Sequence, residues 1–263
     1  MKLVAAVVGF SLFATVAFAQ EKDEVAAAAK KLTETKNYAF KGTSKTEGNL
    51  PFGGGGGGAG GIPEQKFQGV YDSATGLVVS NDANEWVKVG DITVTRPKAE
   101  WRVVEQPAAG GGGRGGRGGM GGMMGGMFGG APKAPHEDLK DFGTKLAGAK
   151  KADAKETIGE TECSVYSGDL TDEATKESLP FGRMMERFAA DAEIKGTSKV
   201  WIDGEGNICK YETTVRVAAS FQGNDFEISI VRTVSVFDAG KAKVEIPEGA
   251  KAAIEKRKKQ GDY

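Results

Sequence analysis

From Gly196 to Asp238 the side chains alternate with a period of two through three consecutive runs. The runs are Gly196 to Asp203 (GTSKVWID), Asn207 to Phe221 (NICKYETTVRVAASF) and Asp225 to Asp238 (DFEISIVRTVSVFD). GEGN and QGND separate them, and both compositions favour hairpin turns. In the second run Cys209, Tyr211, Thr213, Val215 and Val217 face one way, and Lys210, Glu212, Thr214 and Arg216 the other. In the third, Phe226, Ile228, Ile230, Val234 and Val236 share a face, with Arg232 intruding. Long antiparallel strands with one apolar face predict a curved sheet packed against something on that side.

Shorter strands precede these. Tyr38, Phe40 and Gly42 share one face of a strand, and Gln65 to Ser73 repeats the pattern with Phe67, Gly69 and Tyr71. Strands over Gly76 to Ser80, Glu85 to Val89 and Ile92 to Thr95 follow at meander spacing, and Glu160 to Leu170 forms another. Helical periodicity covers Glu21 to Thr35, where Val25, Ala28, Ala29 and Leu32 fall on one face. It returns over Pro135 to Lys150, through Leu139, Phe142 and Leu146, and over Arg183 to Ala190. Thr171 reads as an N-cap with Asp172 and Glu173 behind it. The charged stretch Ile254 to Tyr263 is expected to fray.

The first nineteen residues predict export. Lys2 is the charged n-region, Leu3 to Val16 an uncharged apolar run, and Ala17 and Ala19 flank Phe18 as a cleavage site. The run is shorter than the ~20 residues a spanning helix needs. Gln20, not Cys, follows the cut, so no lipid anchor is expected. The expected organisation is a leader over 1–19, a single domain over 20–250 and a charged tail over 251–263. The expected location is periplasmic or extracellular, with no stable membrane span after cleavage. The leader holds one of the 35 basic residues, leaving 34 against 36 acidic ones, a net charge of −2. That balance predicts no nucleic-acid partner.

Two glycine tracts interrupt the pattern, Gly53 to Gly61 and Gly110 to Gly130. Neither has the apolar surface to offset ordering entropy, so both are expected to be disordered loop insertions. The second carries Arg114 and Arg117, too few for an RNA-binding box, and Met120, Met123, Met124 and Met127. Spaced thioethers are soft ligands for Cu(I), but the tract contains neither His nor Cys.

Catalytic signatures are missing. His136 is the one histidine and lies between a glycine tract and a helix start. The chain has no HExxH, no CxxC pair and no phosphate loop. The expectation is a non-enzymatic protein with no cofactor and no metal. Cys163 and Cys209 both fall on the apolar side of their strands, Cys163 with Val165 and Cys209 with Tyr211. An even count in an exported chain favours a bridge. A strand containing Val200 between them would set the strands about twice ~4.8 Å apart, beyond the ~7 Å that a disulfide tolerates between Cα atoms. A disulfide and two buried free thiols stand as alternatives.

The order of segments resembles the LolA/LppX-like superfamily of exported lipoprotein carriers and lipid-binding proteins. The resemblance rests on NYAFKGTSKTEG after an Ala-rich helix, DLKDFGTKLAGAKKA, GETECSVYSGDLT, KVWIDGEGNICKYE and SVFDAGKAKVEIPEG. It implies an α+β fold, in which a strongly curved antiparallel sheet forms an unclosed β-barrel with helices covering the concave side. It also implies an apolar cavity able to hold acyl chains. The candidate lining is Phe67, Tyr71, Val165, Tyr211, Val215, Ile228 and Ile230. Alternation does not distinguish a ligand cavity from a filled core. The leading functional expectation is therefore a soluble exported carrier of a lipid or acyl-chain ligand. The alternative is an envelope interaction or scaffold module that contacts a protein partner through its glycine-rich loops.

Overall fold

A computed structural model describes residues 10–48, 64–97, 99–104, 133–179, 192–221 and 224–261. Both glycine tracts, the start of the leader and the helix expected over Arg183 to Ala190 lie outside the described residues.

The fold is mainly a large, open antiparallel sheet of 12 strands with a few helices. The elements in chain order are α1 (Phe10–Glu34), β1 (Asn37–Gly48), β2 (Gln65–Asp72), β3 (Gly76–Asn81), β4 (Glu85–Val89), β5 (Ile92–Thr95) and β6 (Arg102–Val103). Then come α2 (Pro135–Asp138), α3 (Phe142–Lys145), β7 (Lys150–Lys151), β8 (Glu156–Ile158), β9 (Thr161–Asp169) and α4 (Asp172–Glu177). The last are β10 (Glu193–Asp203), β11 (Ile208–Phe221), β12 (Asn224–Phe237) and α5 (Glu248–Gly261). The strand order is β6-β5-β4-β3-β2-β1-β12-β11-β10-β9-β7, with β8 also paired to β9. The terminal strands β6 and β7 are not joined, so the barrel is unclosed.

The chain divides into two compact units, and β1 and β12 contribute residues to both. The first comprises Met1–Glu34, Ser44–Glu64 and His136–Ser235. Its strands follow the alternation closely: β10 pairs β11 from Glu193↔Ala218 to Ile202↔Ile208, and β11 pairs β12 from Lys210↔Ser235 to Phe221↔Asn224. Helix α1 packs on α3, β7, β10 and β11. Its buried stripe is Val25, Ala28, Ala29 and Leu32, as the helical spacing requires. The helix is one continuous element from Phe10, across the cleavage site read from the sequence.

The helix expected over Pro135 to Lys150 is two short pieces. Asp141 adopts a left-handed conformation at φ 57° between them. Tertiary contacts end the second piece: the Ala147 N–H donates to the Asp169 carbonyl at 2.9 Å, turning the chain toward β7. Leu139, Phe142 and Leu146 are all buried, so the spacing marked the right side chains and the wrong element. Thr171 does cap α4, its Oγ1 accepting from the Ala174 N–H at 3.3 Å.

The second unit comprises Thr35–Thr43, Gln65–Pro135 and Val236–Tyr263. Strands β2 to β5 form the expected meander. Gly69 sits mid-strand because the Phe40 ring lies over it: a Cβ there would fall 2.5 Å from Phe40 Cζ. The C-terminal stretch expected to fray is instead helix α5. Ala250 and Ile254 are buried against Val87 and Val94, with Trp101 beside them, and that apolar anchor offsets the charge of the exposed face. Gly249 meets the Trp101 indole so closely that a Cβ would lie 2.6 Å from its Cδ1.

Candidate functional site

Register assigns the side chains of β9, β10, β11 and β12 to two faces. Val200 pairs with both Tyr166 and Tyr211, and Val215 pairs with Ile230, so these share the apolar face. Tyr211 and Val215 are each 2% exposed, Ile228 is 1% and Ile230 is 7%. In the first unit this part of the candidate lining is therefore a packed core surface. Phe67 and Tyr71 belong to the second unit, where both are half-buried and Tyr71 packs against Tyr38, the rings tilted by 41° with centroids 5.3 Å apart. Val165 is corrected: it pairs with Trp201, which pairs with Lys210, so it lies on the face opposite Tyr211.

Two carboxylates pin helices to the apolar face. Asp138 of α2 accepts from the Tyr211 hydroxyl at 2.9 Å and from Arg232 Nη2 at 2.9 Å. The intruding Arg232 is thus an ion-pair partner within an apolar row, with its guanidinium pKa raised despite burial by the Asp138 charge. Glu24 of α1 accepts from the buried Tyr166 hydroxyl and pairs with Lys151 Nζ at 3.3 Å. The Tyr166 hydrogen bond is the main cause holding the Glu24 carboxyl below its ordinary value. Burial, then Glu24, pushes the Tyr166 phenol upward. The sequence pattern marked Arg232 as anomalous, but nothing local pointed to Glu24, Asp138 or Lys151 as partners.

The opposite face carries a smaller apolar cluster. The β10–β11 register shifts between Trp201 and Ile202, so Lys210 pairs with Trp201 while Ile208 pairs with Ile202. Cys209 is the extra residue of this bulge. The shift packs Cys209 against Cys163, Val165 and Trp201, not with Tyr211 as simple alternation predicts. Both cysteines are free thiols, Cys163 donating to the Thr161 carbonyl at 3.7 Å and Cys209 to the Asn207 carbonyl at 3.9 Å, so the disulfide alternative is not realised. The physical reason is the strand order: β10 lies between β9 and β11. Burial first, then the neighbouring thiol, pushes the Cys209 pKa up to about 12, and burial likewise raises that of Cys163. Neither is an activated nucleophile. Trp201 Nε1 donates to Glu156 at 2.8 Å, and Lys199 and Lys210 lie 5.0 and 4.2 Å from its ring centroid.

Beside this cluster a groove of about 480 Å³ opens along β7, β9, β10 and β11. Its side chains are polar: Lys150, Ser167, Asp169, Thr197, Lys199, Glu212 and Thr214. The charges within it are partly matched, Lys199 with Glu156 at 3.3 Å and Glu212 with the Thr233 hydroxyl at 3.1 Å. Gly148, Ala149, Gly168 and Ser198 complete the lining, so the groove offers donors and acceptors together with apolar surface. His136 lies half-buried in α2. Among the described residues no group of three or more His, Cys, Asp or Glu side chains could hold a metal ion. No helix among them is long and apolar enough to cross a membrane.

No family model matches the chain, and no curated protein matches it. Among solved structures, a DUF1329 family protein from Desulfovibrio piger aligns over 88% of this chain and 95% of its own. The identity is 8% and the TM-score 0.29, a likeness too slight to carry a functional argument.

Proposed function

We propose that this is an exported, non-enzymatic interaction module that binds an extended polar segment of a partner protein. The observation that carries the reading is the contrast between the two faces of the first unit. The apolar face is filled by its own side chains, whereas the groove stays open and is bordered by hydroxyls and charges of both signs. The leader supports export, and the raised thiols and the absence of catalytic motifs in the sequence support a binding role.

A carrier of the LolA/LppX-like type is the second reading, favoured by the half-buried Phe67 and Tyr71 in the second unit. One experiment separates the two. The chain from Gln20 to Tyr263 carries a photo-crosslinking side chain at Thr197, on the groove floor. Irradiation in the envelope should give an adduct to a peptide of one protein, and Thr214→Trp, which occupies part of the groove, should abolish it. A near-stoichiometric co-purified lipid, with no peptide adduct, would establish the carrier instead. Deleting Gly110 to Gly130 then reports whether the glycine-rich loop contributes to the protein contact.

A further inference from the structure

We propose that Gln20 is a modification site: once the leader is removed, its side chain closes on its own α-amine to give an N-terminal pyroglutamate. The inference rests on the export proposed above, because only a cut after Ala19 makes Gln20 the first residue. Two observations meet there. In the sequence, Ala17 and Ala19 flank Phe18 as the cleavage site and glutamine follows directly. In the structure, Gln20 lies on α1, is exposed, and its side chain makes no hydrogen bond among the described residues.

The way α1 is held decides what the new end can do. Its buried stripe begins at Val25, and the carboxylate that pins it to the sheet is Glu24. Gln20 lies more than a helical turn before either. Removal of the leader therefore spares these anchors and puts Gln20 at a helix end whose first N–H groups have lost their acceptors. Until the cut, the Gln20 nitrogen belongs to a peptide bond, and its lone pair is delocalised. After the cut, the amine and the side-chain carbonyl carbon belong to one residue, so attack is intramolecular and closes an unstrained five-membered lactam. The amine nitrogen bonds to Cδ, the Cδ–Nε2 bond breaks, and the displaced proton leaves with Nε2 as ammonia. No oxidant, cofactor or second reactant enters. The lactam also takes an ammonium away from the positive end of the helix dipole, while Glu21 and Asp23 remain there as favourable charges. The mature chain then starts with a neutral ring, closed to aminopeptidases that need a free α-amine.

The test expresses the whole chain with its leader in an exporting host and reads the purified product by intact mass and fragmentation. The expected product is Gln20 to Tyr263 lighter by one ammonia, with the loss on the first residue. Edman degradation should give no sequence until pyroglutamyl aminopeptidase exposes Glu21. Gln20→Asn, whose side chain is too short to close that ring, should be exported and keep a free amine. A chain that begins at Gln20 and keeps its amine through days of incubation at neutral pH would overturn the proposal while leaving export intact. So would an ammonia loss placed on any other residue. A chain that retains its leader or begins elsewhere would overturn the cleavage as well, and its mass tells that failure apart. The structural premise has its own check. A chain freshly released at Gln20 from a cleavable tag should cyclise at rates within about twofold whether folded or in guanidinium, since ring closure needs only atoms of one unrestrained residue. A folded rate far below the unfolded one would mean that α1 holds Gln20 back, and the premise would fail.

Discussion

The same alternation along β9, β10 and β11 builds two faces with opposite properties. On one, Tyr166, Val200, Tyr211 and Val215 pack under α1 and α2, and the polar groups that remain are drawn into carboxylate contacts. On the other, Ser167, Thr197, Lys199 and Glu212 border an open groove, and apolar packing is limited to the patch around Trp201. The difference shows that a one-sided apolar pattern locates a core but does not by itself open a cavity. The largest expected effect follows from this. Ile228→Ala, at a fully enclosed site, should cost about 2–5 kcal/mol in denaturant unfolding. A loss near zero, with new uptake of a fluorescent fatty acid, would mean that this face already harbours ligand-sized space.

Next in size is the contact that brings charge to the apolar face. Asp138 receives both the Tyr211 hydroxyl and the Arg232 guanidinium. Asp138→Ala should destabilise by about 1–3 kcal/mol, the cost of disrupting a partly buried polar contact. Urea unfolding measures it, and a double substitution with Arg232→Met should recover part of the loss. Full additivity of the two would show that the pair is not energetically coupled.

The strands were legible because period-two alternation is a local signal. Every strand of the β2–β5 meander and the three long C-terminal strands follow it. What was not legible depends on contacts distant in sequence. The end of α3 rests on Asp169, and the order of α5 on Val87, Val94 and Trp101. A single register shift beside Trp201 accounts for the misplaced face of Cys209, since one extra residue reverses the direction of a side chain. Alternation puts Val165 with Cys163 on the apolar side of its strand, yet β9 turns Tyr166 to the main core face and Val165 to the other. For the candidate site, the intruding Arg232 was the visible clue. The partner carboxylate lies 94 residues away in sequence, and no pattern within one strand names it.

The comparison sharpens further with pH. Tyr166→Phe removes the hydroxyl that Glu24 accepts from and should cost about 0.5–1.5 kcal/mol at neutral pH. Glu24 has a lowered carboxyl pKa when folded. Its stabilisation is therefore present above the ordinary carboxylate value and is lost as pH falls through the lower folded value. The substitution should flatten the acid limb of the stability profile, measured by thermal unfolding from neutral pH downward. An unchanged acid limb would show that Lys151, not Tyr166, sustains the ionised carboxylate.

The smallest effect on folding is expected in the groove. Thr214→Ala, on the polar face, should alter stability by no more than about 0.5 kcal/mol, because it removes no core packing. Thr214→Trp should also leave the core beneath intact while occupying part of the roughly 480 Å³ above it. If the groove receives an extended polar segment, the tryptophan variant should lose binding while its unfolding midpoint stays close to that of the unsubstituted protein. The alanine variant should retain most of the binding, since its neighbours Thr197 and Glu212 still supply hydrogen-bonding groups. Equal binding by all three proteins would separate the recognition surface from this face altogether, whereas a matched loss of binding and stability would mean that the substitution had disturbed the sheet itself.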